Sequence, residues 1–573
     1  MKHLIYSLIL LIFSSSAYAQ KDEPVDKAYY AAPVKIPISL AGNFAELRPN
    51  HFHGGIDIKT QGKTGLPVFA AADGYIARIS VSQTGYGNSL YINHSNGTTT
   101  VYGHLQSFIK PVQDYIRNIQ YEKETFVIDQ TVPEDMFQVK KGDQIAFSGN
   151  TGSSGGPHLH FEIRKTKEEI ILNPLLFNMP VKDKIKPSIQ SLMVYPVSDD
   201  ASVAGKQLPQ RFDVVVNGSS YLLKVNKTIP VYGEIGFGIQ SVDLLDGSSN
   251  KCGIYSIKLS VDGKLIYSFK MDELIMDQTR YVNSQMDYAL AAKTGRRLYR
   301  TWLEPGNKLN IYDSIIKRGL FTATDGKIHT VHYEIADAGG NKTNLSFKIQ
   351  SQKTNITKSE PTGKYFRYDR KNKIDASGIE FTIPEGALYS NVDFQFNEKP
   401  SLPAFFSPVY QLHNTTVPLQ FACPLRIKAD RLPERLQDKV MLAQIDPGSG
   451  KIISATGKYD NGWVEGNIRV LGNYTLAVDT IPPKITPQIF DEKKALKDPT
   501  CLKIKVTDNF SGVDTFNGTI DDKWVLFEYD LKNNLLIYSF DKERFEFNKD
   551  HKLVLEVTDF KGNTSKYLVN FRK

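Results

Sequence analysis

Two histidines two residues apart, in Gly156-Pro157-His158-Leu159-His160-Phe161-Glu162-Ile163, constrain this chain more than any other stretch. Polar and apolar residues alternate through the run. In a β-strand, positions i and i+2 point to the same face. The pattern predicts that His158, His160 and Glu162 project together, while Leu159, Phe161 and Ile163 face a core. Paired imidazoles on one strand face are good metal chemistry, provided further ligands exist elsewhere.

About a hundred residues upstream, His53-Gly54-Gly55-Ile56-Asp57 reads as another strand, with His53, Gly55 and Asp57 on one face and Phe52, Ile56 and Ile58 on the other. An imidazole and a carboxylate at i and i+4 can share one ion if the strand bends, and glycine permits the bend. His53, Asp57 and His160 then offer two neutral nitrogens and one anionic oxygen. That set suits Zn²⁺ held by three protein ligands with the fourth position open. Closed structural zinc sites use four ligands, often cysteines, and none of the three cysteines lies near these residues. An open site argues for catalysis.

His53-x-Gly55-x-Asp57, Tyr102-Gly103-His104-Leu105, Lys141-Gly142-Asp143 and Gly152-x-Ser154-x-Gly156-Pro157-His158-Leu159-His160-Phe161 together closely resemble the M23 (LytM/lysostaphin-like) zinc metallopeptidases. The likeness runs from about residue 44 to 163, with a short tail to about residue 180. It implies an antiparallel-sheet lysostaphin-like domain that hydrolyses peptide cross-links of bacterial peptidoglycan by zinc-activated water. It makes His53, Asp57 and His160 the Zn²⁺ ligands and His104 and His158 the unliganded catalytic histidines. All five positions are intact, which matters because some relatives with this fold have lost ligands and act as regulators. A non-enzymatic wall-binding or hydrolase-regulating protein is therefore the alternative, and a peptidase for protein substrates a third reading. Histidine suits proton transfer near neutral pH. His158, one strand repeat from His160, can reach a metal-activated water. His104 can steady an oxyanion or exchange protons with the leaving amine. The division of these two jobs stays open.

Departures from the family pattern sit nearby. His51 stands where relatives are often basic; it reads as an exposed or substrate-facing residue, the sharper reading being a perturber of the zinc. An extra segment near residues 111–137 reads either as a lid or wall beside the cleft or as a surface excursion. Gly149-Asn150-Thr151-Gly152-Ser153-Ser154-Gly155-Gly156 lacks a phosphate loop's lysine and reads as a loop shaping a substrate groove. Glu162 reads as a group orienting a ligand from behind or as a rim carboxylate. His94 reads as an exposed turn residue, and Tyr102 takes no assigned role.

At 573 residues the chain is too long for one core, and three to five domains are expected. Lys2-His3, the apolar run from Leu4 to Phe13 and Ala17-Tyr18-Ala19 read as a secretory signal peptide over residues 1–19. No later run is long and apolar enough for a transmembrane segment. The expected location is exported, in the periplasm or cell envelope or outside the cell. A net charge of +8 draws the protein weakly to anionic wall polymers, and no aromatic-basic pattern calls for nucleic acid. Cys252, Cys423 and Cys501 are odd in number and far apart, so buried thiols are expected.

The expected fold is mainly β: a peptidase domain over residues 20–181, then β-sandwich domains. Residues 187–352 alternate with period two and read as an immunoglobulin-like sandwich. Residues 353–480 form a β-rich unit whose opening run resembles ZU5-type domains, and residues 484–573 a second immunoglobulin-like sandwich. A cryptic repeat links the two sandwiches: Asp337-x-x-Gly340-Asn341 echoes Asp559-x-x-Gly562-Asn563, and Val261-Asp262-Gly263-Lys264 echoes Ile520-Asp521-Asp522-Lys523. These downstream units read as spacers or binding modules, with a protein partner possible, and as lacking a second metal cluster.

Overall fold

The computed structural model describes residues 26–225, 227–356, 360–490 and 496–573. The expected signal peptide lies outside them. The described chain is mainly β and folds into four units.

In the first unit the strand His158–Lys165 is central. It pairs antiparallel with Ile56–Lys59 on one side and with Thr98–Phe108 on the other. The sheet continues through Asn88–Asn93 and Gly74–Val81 to Gln138–Val139. Alternation decides the faces: Leu159, Phe161 and Ile163 are fully buried against Ile56, Ile58, Tyr102 and Leu105. Burying side chains of this size stabilises the unit by roughly 1.5–3 kcal/mol each. The opposite face carries His160 and Glu162, which are buried too, so this strand has an apolar core on one side and a polar network on the other.

The extra segment is neither a free lid nor a loose excursion. Its helix, Lys110–Glu122, starts with proline in the first turn and buries Val112, Ile116 and Gln120. Its outer face receives the last unit of the chain. The Tyr121 and Trp524 rings meet edge to face at 5.1 Å. The Arg544 guanidinium lies 4.8 Å over the Tyr121 ring and donates to Asn118 Oδ1 at 2.6 Å. Phe126 packs against the last unit's core.

The first two units interlock. Ile170–Leu172 pairs both with His158–Lys165 and with Glu273–Ile275 of the second unit, so one sheet crosses the junction. Phe44, Leu47 and Phe52 contribute to the second core, while Leu245 and Cys252 contribute to the first. The third unit packs two five-stranded sheets, and the last packs two four-stranded sheets. All three cysteines are buried and free.

The cryptic repeat is a repeat of geometry. Asp262 and Asp521 both take positive φ, 49° and 51°. Each accepts from a histidine, His329 Nδ1 at 2.7 Å and His551 Nδ1 at 2.8 Å. Each also accepts a backbone N–H near the start of the strand paired with the one it follows, from Thr330 at 2.8 Å and Lys552 at 2.9 Å.

Candidate active site

Asp57 and His160 face each other directly across the ladder. His53 reaches the same point because the expected strand is broken. Strand runs from His51 to Phe52 and again from Ile56 to Lys59, and the His53-Gly54-Gly55 segment between them is irregular. Glycine is required there: a Cβ on Gly55 would lie 2.4 Å from the Phe161 carbonyl oxygen. The break turns both ligand candidates toward one point, which a straight strand at i and i+4 would not do.

His104 arrives by a β-bulge. Asn88 pairs with Leu105 and Leu90 with Tyr102, so Gly103 and His104 together oppose Ser89. His104 takes φ 58°, a conformation that costs a non-glycine residue energy and is held here by its N–H bonding the Tyr86 carbonyl at 2.7 Å. The bulge removes His104 from the face of Tyr102, which is fully buried and accepts the Ala71 N–H at 2.8 Å.

Every imidazole of the site is anchored through one nitrogen, leaving the other facing inward. His53 Nδ1–H donates to the Asn43 carbonyl at 2.7 Å, His104 Nδ1–H to that of Thr151 at 2.9 Å, and His158 Nδ1–H to that of Gly156 at 2.8 Å. A carbonyl only accepts, so these bonds fix the tautomers. His160 is anchored the other way round, Nε2–H donating to Glu162 Oε1 at 2.7 Å. Three donor atoms remain: His53 Nε2, Asp57 Oδ1 and His160 Nδ1, separated by 3.0, 2.9 and 3.1 Å. Tetrahedral zinc with ligand bonds of about 2.0–2.1 Å sets its ligands about 3.3 Å apart, so the triangle fits with little adjustment. His158 Nε2 lies 3.4 Å from Asp57 Oδ1, and the His104 and His158 ring centres are 4.7 Å apart.

The electrostatics favour a cation at this point. Burial would raise the Asp57 carboxyl, but His53 first, and then the His158 and His160 imidazoles, outweigh it and hold it well below the usual range. Arg48 Nη2 donates to Asp57 Oδ2 at 2.5 Å, leaving Oδ1 for the triangle. Burial opposes a charge on His160, yet Asp57 and Glu162 push its pKa up to about 9, so at pH 7 Nδ1 carries a proton toward Asp57 that a metal ion would displace. Burial, aided by His160 and His158, takes His104 down to about 3, and burial takes His53 down to about 4. Both are therefore neutral at pH 7.

Behind His160, Glu162 is fully buried and receives Tyr86 Oη–H and Arg164 Nε–H, both at 2.6 Å. Burial alone would raise its pKa, but Arg164 and His160 bring it to about 2. It is an orienting group, not a rim carboxylate. Tyr86 also stacks on His160 at 5.0 Å. Sequence reading missed Arg48, Tyr86 and Arg164. Only Arg164 left a signal, as the next same-face position after Glu162.

Other expectations change. His94 is buried, its Nδ1 bonded to the Asp73 carbonyl and its Nε2 to Thr100 Oγ1, each at 2.8 Å. His51 is exposed and bonds the Pro49 carbonyl at 3.0 Å, apart from the triangle. In the glycine-rich loop, Gly149 packs against Leu105 and Gln106 backbone, whereas Gly155 and Gly156 border open space. Lys532 of the last unit donates to the Asn150 carbonyl and, at 3.3 Å, to that of Ser154. The loop that anchors His104 and His158 is thus itself held by the far end of the chain. Downstream, where no second cluster was expected, Asp183, Asp243 and Asp337 converge, as do Asp479, Asp508 and Asp559. Their members are far apart in sequence, and no local motif announces them.

A three-donor centre flanked by two anchored imidazoles is a group that could hold a metal ion. Residues 51–120 and 130–172 match Peptidase family M23, and residues 363–479 match the Zu5-like domain. The first of these matches lies within the first unit. The DD-carboxypeptidase/endopeptidase Mpg of Neisseria meningitidis is 33% identical over 131 residues, 23% of this chain and 24% of that protein. The peptidoglycan DD-endopeptidase ShyC of Vibrio cholerae is 29% identical over 163 residues, 27% of this chain and 31% of that one. A zinc-containing peptidase structure from Vibrio cholerae shares 27% identity over 24% of this chain and 37% of that one, with a TM-score of 0.18. The chain spans about a quarter to a third of the length of these curated relatives.

Proposed function

We propose that this protein is an exported zinc metalloendopeptidase that hydrolyses peptide cross-links of bacterial peptidoglycan. The observation that carries this reading is the triangle of His53 Nε2, Asp57 Oδ1 and His160 Nδ1, with His104 and His158 turned toward it. Those three atoms would hold Zn²⁺, which when bound supplies Lewis-acid activation of water and of a peptide carbonyl. Asp57 contributes the single negative charge, and Arg48 keeps its second oxygen occupied. Glu162 holds a proton on His160 Nε2, so that Nδ1 is the nitrogen that would give up its proton to a metal. His158 and His104 each present a free Nε2; they take the proton from the attacking water and return one to the leaving amine. Gly155 and Gly156, with nothing beside them, leave room for an extended peptide to lie close to the backbone.

Peptidoglycan as substrate is supported by the names of the relatives, which include a peptidoglycan DD-endopeptidase. Export is supported by the amino-terminal sequence. Among the described residues no helix is long and apolar enough to cross a membrane. The downstream sandwiches, read as immunoglobulin-like, serve as a brace for the peptidase unit, since the last of them docks on its helix and loop.

The test is digestion of purified sacculi and defined wall peptides by the full-length protein, with product mass spectrometry and metal analysis. One zinc per chain and new amine termini, both absent in His160→Ala, are expected. A zinc-loaded protein that releases no amines from sacculi would favour the non-enzymatic wall-binding alternative. Cleavage of unstructured proteins but not wall peptides would assign the site to protein substrates.

A further inference from the structure

The two aspartate triads are built alike, although their corresponding members lie more than two hundred residues apart in sequence. Each draws its first member from the linker entering a sandwich: Asp183-x-Ile185-x-Pro187-x-Ile189 and Asp479-x-Ile481-x-Pro483-x-Ile485. The second member directly follows the strand that pairs with the sandwich's first strand, Asp243 after the Ser188–Val242 pair and Asp508 after the Lys484–Thr507 pair. The third opens the Asp-x-x-Gly-Asn turn, as Asp337 or Asp559. Hydrogen bonds repeat as well. The turn asparagine donates its side-chain amide to the linker aspartate's carbonyl, Asn341 to Asp183 at 3.3 Å and Asn563 to Asp479 at 3.0 Å.

In each triad one carboxylate oxygen per residue lies within 4.8 Å of the other two. Among the described residues, none of Asp183, Asp243 and Asp337 makes an ion pair with a basic side chain. Asp243 is 2% and Asp337 3% exposed, and Asp243 Oδ1 and Asp337 Oδ2 are buried without a hydrogen-bond partner. In the second triad Asp508 Oδ1 also lacks a partner, but Asp508 is only half-buried and its Oδ2 accepts the Phe510 and Gly512 N–H groups. A buried, unpaired carboxylate oxygen is costly, and three side by side more so. Burial first, and then the neighbouring carboxylates, push Asp243 up to about 8 and Asp183 up to about 6. Lys561 lies near the second triad, its amine donating to the Gly457 carbonyl at 3.2 Å.

We propose that the first triad, Asp183, Asp243 and Asp337, is a binding site for a divalent cation of the Ca²⁺ class, which ties the sandwich to the unit before it. The donors are hard oxygens with neither imidazole nor thiolate among them, the set that calcium and magnesium prefer. Calcium tolerates the irregular geometry of a linker, a strand end and a turn better than magnesium does. Because the linker aspartate belongs to the junction itself, an ion there fixes the two units relative to each other. This inference does not rest on the peptidase reading.

The test uses the zinc-loaded full-length protein, titrated with CaCl₂ and with MgCl₂ by calorimetry and followed by thermal melting. One Ca²⁺ per chain is expected, and Asp243→Asn should remove it. Without Ca²⁺, Asp243→Asn should melt above the wild type, because it relieves the crowding of carboxylates. In saturating Ca²⁺ the order should reverse, the wild type gaining roughly 5 °C or more. Should Asp243→Asn fail to fold, Asp183→Asn on the half-buried linker carries the same expectations. Absence of Ca²⁺ binding by the wild type at about 10 mM, tighter binding of Mg²⁺ than Ca²⁺, or full stoichiometry in folded variants overturns the proposal.

Discussion

Replacing Glu162 by glutamine tests the site at its least visible point. The change is isosteric and touches none of the three donor atoms. Glu162 Oε1 receives His160 Nε2–H and Tyr86 Oη–H, at 2.7 and 2.6 Å, and Oε2 receives Arg164 Nε–H at 2.6 Å. Glutamine offers one oxygen and one NH₂, so one set of donors must lose its acceptor. The Arg164 side chain is only 9% exposed and cannot give up its proton, so the amide oxygen should turn toward it. The NH₂ then opposes His160 Nε2–H. The imidazole escapes by moving its proton to Nδ1, the atom the metal needs. Losing such a carboxylate support typically costs 10–100-fold in metal affinity, about 1.4–2.8 kcal/mol. The apo protein should also lose about 3 kcal/mol, the lower end for a broken buried ion pair, because one hydrogen bond to Arg164 survives. Competition with a chromogenic zinc chelator measures the first quantity and urea unfolding the second. Arg164→Met is the control: it destabilises the fold but leaves the acceptor of His160 in place, so zinc affinity should hold. A folded Glu162→Gln with zinc affinity within about twofold of wild type would falsify the tautomer argument.

His158→Ala should keep zinc and lose roughly 10²–10⁴-fold in turnover, the usual worth of a proton-transfer group; full activity on a defined wall peptide removes it from the reaction. Lys532→Ala frees the loop carbonyls of Asn150 and Ser154, so zinc content should stay constant while turnover falls severalfold and hydrogen exchange over residues 150–156 quickens. An unchanged exchange rate would show that the last unit does not brace the loop. His329 gives a pH signature away from the site. Burial opposes its charge, but Asp262 and Asp325 outweigh that and raise its pKa above 6.5. The stabilisation is complete below the unfolded value and fades as pH rises through the folded one. His329→Gln should therefore cost more stability at pH 6 than at pH 9 in urea unfolding, and an equal cost at both would sink the assignment.

The identity of the site residues was legible because strand alternation is a local rule. Period two was enough to put His158, His160 and Glu162 on one face and Leu159, Phe161 and Ile163 in the core. It failed where the backbone departs from regularity. The run from His53 to Asp57 is not one strand, since Gly54 and Gly55 break it beneath the central strand, and His104 leaves the face of Tyr102 through a bulge. His94, polar and set beside a turn, looked exposed and is buried, because its partners Asp73 and Thr100 are not its immediate neighbours.

By itself the sequence determined the β architecture, the repeat in the two downstream units, and the strand faces that carry His158 with His160 and His53 with Asp57. These follow from side-chain type and short-range periodicity. Only the tertiary structure decided which nitrogen of each histidine faces inward, that Arg48 and Arg164 sit behind the anions, that the inserted helix is a docking platform, and that six aspartates meet as two triads. The reason is distance along the chain. Each of those contacts joins strands, turns and linkers that only the completed sheets bring together, and the buried charges in them are tolerable only once all partners are in place.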